Sequence, residues 1–219
     1  GQLKHLENPY LMKDIEKARQ GLSDAETGGI ATEGFTVPDM GEYALLPGNP
    51  RRISLMAGQW DEGTSKEYDL NRGYRACTGA YKGTPLTAMS TGMGGPNLEL
   101  PLTTMAAAGV NTFIRVGTTG AIQKGIQIGD IIINDCNVRL DGTSRQYVME
   151  EYPSAASPEV VMALVQACEN LGFKYHVGVG CTTASFYAGQ SRASFGGYKR
   201  QDADALYKDL QSANVLNYD

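Results

Sequence analysis

Residues 112–122 read Thr112-Phe-Ile-Arg-Val-Gly-Thr-Thr-Gly-Ala-Ile122. The run from Thr112 to Val116 predicts a short strand, and the glycines and threonines behind it predict a tight turn. Arg115 stands at the inner end of that apolar strand, where an arginine is seldom buried without an anionic partner. Glycines let backbone amides close around an anion, and hydroxyl and guanidinium groups add further donors. Two other turns have the same character, Leu46-Pro-Gly-Asn-Pro-Arg-Arg52 and Ser90-Thr-Gly-Met-Gly-Gly-Pro96. Taken singly, glycine-rich turns after strands are more often plain connections than anion sites. The dinucleotide fingerprint GxGxxG and the P-loop GxxxxGK[ST] are both absent, so neither of those phosphate cradles is encoded.

Working outward, strands and helices alternate. Tyr43-Ala-Leu-Leu-Pro47 predicts a strand, followed by a turn and a helix from Arg51. Residues 75–81 and 85–90 predict a hairpin around Lys82-Gly83, and 94–108 a helix that tolerates Pro101 because it falls near the start. Residues 112–116 and 130–140 predict strands. Ser157-Pro158-Glu159 is a helix start, with a capping serine, a first-turn proline and an acid facing the dipole. That helix runs to Leu171 and stops at Gly172. A strand at 175–182, a helix at 203–213 and a strand at 215–218 complete the order. This alternation implies an α/β fold, a mixed twisted central sheet flanked by helices, with ligands beyond the carboxyl ends of its strands. Residues 3–20 predict an amphipathic helix and 21–41 a loop. The expected organisation is an arm over residues 1–41 and a main domain over 42–219.

Composition narrows the classes. The chain has 219 residues, 42% hydrophobic and 20% charged, with a net charge of −5. No basic run exceeds two residues (Arg51-Arg52 and Lys199-Arg200), which argues against a nucleic-acid binder. A few arginines converging in one pocket are still enough to hold phosphate. Cys77, Cys136, Cys168 and Cys181 share no metal-ligand spacing. The last three lie in apolar runs that suit small buried hydrophobes, so a reducing, cytoplasmic setting is expected. Only His5 and His176 are present, too few for a histidine zinc site or a Ser-His-Asp triad to be expected. No apolar run approaches the ~20 residues of a membrane span, and residues 1–20 lack the core of a signal peptide.

Several motifs in order resemble one family, the hexameric nucleoside phosphorylases, and within it the branch that cleaves uridine. They are Thr112–Ile122, Val138-Arg-Leu-Asp-Gly142, His176-Val-Gly-Val179 and Phe186-Tyr-Ala-Gly-Gln-Ser-Arg192. The resemblance covers residues 43–219. It implies phosphorolysis of uridine to uracil and ribose 1-phosphate, with inorganic phosphate as co-substrate and no other cofactor. Gly48, Arg52 and Arg115 would hold phosphate, and Thr118 would bridge phosphate and ribose. Arg72 would reach a neighbouring subunit's phosphate, which implies a homodimer with shared sites, repeated three times in a hexamer. Phe186 would pack on base and sugar, and Gln190 and Arg192 would bind the uracil edge. A glutamine amide offers one donor and one acceptor, matching the adjacent carbonyl and N–H of uracil. An arginine stabilises the charge that gathers on the departing base.

The sequence also departs from that family. No histidine lies between His5 and His176, so the arm histidine that reaches a neighbour's ribose is missing or replaced. Gly73 stands where some relatives place a cation-binding glutamate, so no metal site is expected. The family continues past Asn217-Tyr-Asp219 with a Met-Glu pair for the ribose hydroxyls, a strand and a long helix. The domain is therefore expected to be carboxyl-terminally incomplete, with an unpaired edge on its last strand. Other readings stay open: a purine or broad-specificity nucleoside phosphorylase, a nucleoside hydrolase, or an inactive nucleoside-binding relative.

Overall fold

Strand β1, Tyr43–Pro47, is flanked on both sides by parallel strands and sets the frame of the first half of the chain. A computed structural model describes residues 37–219. The helix expected over 3–20, and the loop over 21–36, lie outside them. The described residues divide into two compact units, with the boundary between Gly117 and Thr118. Each contains one five-stranded sheet, so the mixed α/β architecture is as expected, with its strands distributed over two sheets.

In the first unit the elements are β1, α1 (Arg52–Ala57), β2 (Lys66–Asp69), β3 (Arg75–Tyr81), β4 (Thr84–Met89), α2 (Gly95–Ala107) and β5 (Thr112–Val116). The sheet order is β2-β3-β4-β1-β5. Strands β4, β1 and β5 run parallel, while β3 and β2 are antiparallel additions. Side chains alternate across each strand. Ala44, Leu46, Ala76 and Met89 point into one core with Met105 of α2. Cys77 and Ala88 point into another with Ile53 and Ala57 of α1. One helix therefore covers each face.

Pro101 is the seventh residue of α2, not an early one. It removes the N–H that would have bonded the Asn97 carbonyl one turn back. The hydroxyl of the buried Tyr74 donates to that carbonyl instead, at 2.9 Å. The proline is tolerated because another strand's loop supplies the missing donor. Strand β2 escaped the sequence reading because Lys66-Glu-Tyr-Asp69 is a short charged edge strand with no apolar alternation.

The second unit contains β6 (Gly120–Ala121), β7 (Ile131–Leu140), α3 (Ser144–Tyr147), β8 (Ser154–Ala155), α4 (Pro158–Leu171), β9 (Tyr175–Thr183), α5 (Ala203–Ser212) and β10 (Asn217–Tyr218). Its sheet order is β6-β10-β9-β7-β8. Helix α4 begins and ends as expected, with Gly172 in the left-handed conformation at its carboxyl end. Ser157 occupies the capping position, but its hydroxyl makes no capping bond, and its carbonyl accepts from Val160 and Val161. Helix α5 packs Leu206, Tyr207 and Leu210 against Ile122, Cys181, Val215 and Tyr218. Burial pushes the Cys181 thiol up to about 11, in keeping with its reading as a buried hydrophobe. The unpaired edge expected for the last strand is not found. Strand β10 lies between β9, parallel, and β6, antiparallel, because the chain past Gly117 turns back to cover it.

Candidate active site

Because β4, β1 and β5 are parallel neighbours, their carboxyl ends lie together, and so do the three glycine-rich turns that follow them. The pairing continues past the strands. Thr91 N–H donates to the Pro47 carbonyl at 2.9 Å, and Gly92 N–H to the Gly48 carbonyl at 3.0 Å. The strand-opening end of β3 joins them through Arg75 N–H to Ser90 Oγ, 2.8 Å.

Arg115 lies beside Leu46 in the β1–β5 register and two residues beyond Phe113, which packs on the α2-side core. Its side chain therefore continues that face past the end of the core. A Cβ added at Gly48 would come within 3.8 Å of Arg115 Nη1, and one added at Gly117 within 3.5 Å of Nη2. The guanidinium is thus flanked by two bare backbones. Arg52, the first residue of α1, donates from Nη1 to the Val116 carbonyl at 3.5 Å, bringing a second guanidinium to the same strand end. Gly48, Arg52 and Arg115 are brought together. The expectation that Arg115 would be buried is not met, since the residue is exposed. The physical reason is position: β5 is the edge strand of its sheet, and Arg115 is its penultimate residue.

Arg72 is exposed on the turn between β2 and β3, at this same end of the sheet but beyond β3. Its backbone is left-handed (φ 59, ψ 21), a conformation few non-glycine residues adopt. Thr118 opens the second unit and is exposed.

The second cluster lies in the loop after β9. Arg192 N–H closes the loop onto the Tyr187 carbonyl at 2.8 Å. Gly189 is required there, because a Cβ would sit 2.6 Å from the Ser185 carbonyl oxygen and 2.9 Å from Thr183. The Arg192 guanidinium stacks over the Phe186 ring, 4.7 Å from its centre, and its Nη2 lies 3.1 Å from where a Cβ on Gly120 would be. Tyr187 meets Phe186 edge to face at 5.3 Å. Gln190 is half-buried in the same turn. Phe186, Gln190 and Arg192 therefore share one loop that offers a flat apolar face, an amide and a planar cation.

The other matching motifs have structural partners that the sequence did not reveal. Arg139 donates to Ser144 Oγ at 3.0 Å and to the carbonyls of Met149 and Tyr152 at 2.9 and 2.7 Å, clamping the loop between β7 and β8. Asp141 accepts from Ser144 N–H and Oγ at 2.7 and 2.6 Å. Burial pushes the Asp141 carboxyl up, but these bonds outweigh it and hold it below the usual carboxylate range. His176 meets the Asp130 carboxylate at 2.8 Å, as does Lys174. The Gln127 amide, with the Lys174 ammonium and the hydrogen bond to the His176 ring, holds Asp130 well below its ordinary value. Among the described residues no three His, Cys, Asp or Glu side chains gather as a metal site would. No helix there is long and apolar enough to cross a membrane.

The chain is similar to known proteins over most of its length. The chain is 49% identical over 181 residues to a uridine phosphorylase of Thermococcus kodakarensis, an alignment covering 83% of this chain and 65% of that one. It is 38% identical over 177 residues to a uridine phosphorylase of Haemophilus influenzae, covering 80% and 69%. A guanosine phosphorylase of Halorubrum lacusprofundi is 34% identical over 178 residues, covering 81% and 68%. The chain thus spans about two thirds of the length of the curated relatives it matches. The sequence model of the Phosphorylase superfamily matches residues 42–215, from just before β1 to just before β10 and through both clusters. By that match and these identities, the chain belongs to the phosphorylase superfamily.

Proposed function

We propose that the protein cleaves uridine with inorganic phosphate, giving uracil and ribose 1-phosphate, in pyrimidine salvage. The observation that carries the phosphate half is the pair of guanidinium groups at the end of β5, with Arg115 set between the bare backbones of Gly48 and Gly117. Such donors suit a phosphate dianion, and a hydrolase would have no use for them. In this reading phosphate attacks the anomeric carbon as the base leaves. Positioning and electrostatics supply the acceleration, and no side-chain nucleophile or further cofactor is required. Thr118 is assigned to phosphate and ribose, and Arg72 to the phosphate of a second subunit in a homodimer or a hexamer of dimers. Residues 42–219 are taken as the phosphorylase domain, 1–41 as its arm, and the cytoplasm as its compartment.

The base half rests on the loop of Phe186, Gln190 and Arg192, which suits uracil, and on two relatives named uridine phosphorylase. The relative named guanosine phosphorylase supports a second reading, in which a purine nucleoside is the substrate. The test is ultraviolet assay of base release from uridine, inosine and guanosine, with and without phosphate. Uridine cleavage that depends on phosphate and outpaces both purines is expected. Equal or faster purine cleavage overturns the uracil assignment, and release without phosphate overturns phosphorolysis.

A further inference from the structure

We propose that Asn217 is a positioning residue for the Thr118–Thr119 turn and that this latch sets the affinity for phosphate. The inference rests on the assignment of Thr118 to phosphate and ribose.

Asn217 is 1% exposed on β10, and a buried primary amide needs partners for both ends. Its Oδ1 accepts from Asn134 Nδ2 of β7 at 2.8 Å. Its Nδ2 donates to Thr119 Oγ1 at 2.7 Å and to Asn134 Oδ1 at 3.3 Å. Asn134 Nδ2 also donates to the Gly178 carbonyl of β9 at 3.2 Å. The Thr119 hydroxyl itself donates a hydrogen bond to the Tyr218 carbonyl. A line of side-chain hydrogen bonds thus crosses from the middle of the sheet to the turn ahead of β6.

Asparagine is a poor strand residue, and an apolar side chain would suit the sheet interior better. Packing alone therefore does not explain Asn217. The ladder between β10 and β6 ends at the pair Tyr218 and Gly120, so the two residues before it lie beyond the paired backbone. The Asn217 amide reaches past that end and holds Thr119 by its hydroxyl. Fixing Thr119 fixes the peptide it shares with Thr118, and so restrains the Thr118 Cα from which its hydroxyl projects. Thr119 supplies the handle, and Thr118 is the group being aimed.

The test is titration calorimetry with inorganic phosphate on the full-length protein and on Thr119→Val, Thr119→Ser, Asn217→Ala and the double variant Thr119→Val with Asn217→Ala. Thr119→Val should weaken phosphate on the order of tenfold, the worth of one hydrogen bond. Thr119→Ser keeps the hydroxyl and should stay within about twofold. The double variant should lose no more than the worse single, because both changes break one link. Phosphate affinity unchanged in Thr119→Val, or additive losses, would overturn the latch. So would a Thr119→Val that lowers the melting temperature but leaves the phosphate Kd alone, since that marks a merely structural hydroxyl. If Asn217→Ala does not fold, the two Thr119 variants decide. A protein that shows the expected pattern yet releases no uracil from uridine keeps the latch and loses the activity reading. One that phosphorolyses uridine normally as Thr119→Val loses the latch alone.

Discussion

Replacing Gly48 with alanine would set a methyl carbon 2.9 Å from the Gly92 carbonyl oxygen. Ordinary contact between carbon and oxygen begins near about 3.3 Å, so the overlap is roughly 0.4 Å against backbone, not against a flexible side chain. Relief requires the ends of β1 and β4 to part, loosening the bonds from Gly92 N–H to Gly48 and from Thr91 N–H to Pro47. Overpacking of this kind costs about 1–3 kcal/mol, which in a chain of this size lowers the melting temperature by about 2–12 °C. The same movement displaces the turn beside Arg115 and should raise KM for phosphate several-fold with less effect on KM for uridine. Gly117→Ala is the control. Its methyl would meet only the Arg115 guanidinium, at 3.5 to 3.8 Å, an ordinary contact with the movable end of a side chain. It should stay within about 0.5 kcal/mol of the parent. Thermal melts and initial rates at varied phosphate separate the two. A Gly48→Ala protein with parental melting temperature and phosphate KM would show that the turn has slack, and the cradle argument would fail.

Arg115→Ala should leave uridine binding largely intact and slow phosphorolysis by about two to three decades, the loss of a charge-assisted contact of about 2–4 kcal/mol. Near-normal turnover at low phosphate would make Arg115 structural. Gln190→Ala and Arg192→Ala should raise KM for uridine and blunt its preference over nucleosides lacking the uracil edge, read from competing-substrate rates. Unchanged preference in both would remove the loop from base recognition. The pH dependence of stability follows from Asp141. Its folded pKa is depressed, so its contribution is present above the unfolded value of about 4 and is lost as pH falls through the folded value. Asp141→Asn should therefore unfold at lower urea than the parent at neutral pH, with the gap closing below about pH 4. A gap that is constant with pH would mean that shape matters there and charge does not.

Most of the elements were legible because they carry a period. The strand at 112–116 and the helix at 158–171 have the bounds that alternation, proline and glycine predict. What escaped lacks a pattern. Strands β6 and β8 are two residues each, set by the partner they meet and not by their own composition. The three glycine-rich turns could be listed from the sequence, but their convergence depends on the parallel order of β4, β1 and β5. The sequence singles out Arg115 by its charge at a strand end and Arg52 by the family resemblance; the structure brings the two together at the end of β5, although the burial argued for Arg115 is not met. Asn134, Asn217 and Tyr74 gave no signal, because each matters through a partner far along the chain. The Tyr74 hydroxyl meets its acceptor 23 residues away, and the Asn217 amide meets Thr119 across 98.

That last separation has a cost during synthesis. Strand β6 pairs only with β10 in its sheet, and β10 also supplies one neighbour of β9. On a ribosome adding 5–20 residues per second, the 98 positions from Thr119 to Asn217 take about 5–20 s. Throughout that interval β6 has no strand to join, and once Thr183 has emerged β9 presents an open edge to any extended segment nearby. Loop closure over such a distance also slows the final step once Asn217 has emerged. The yield of correctly folded chain should therefore depend on what shields the β9 edge until the strand that belongs there arrives.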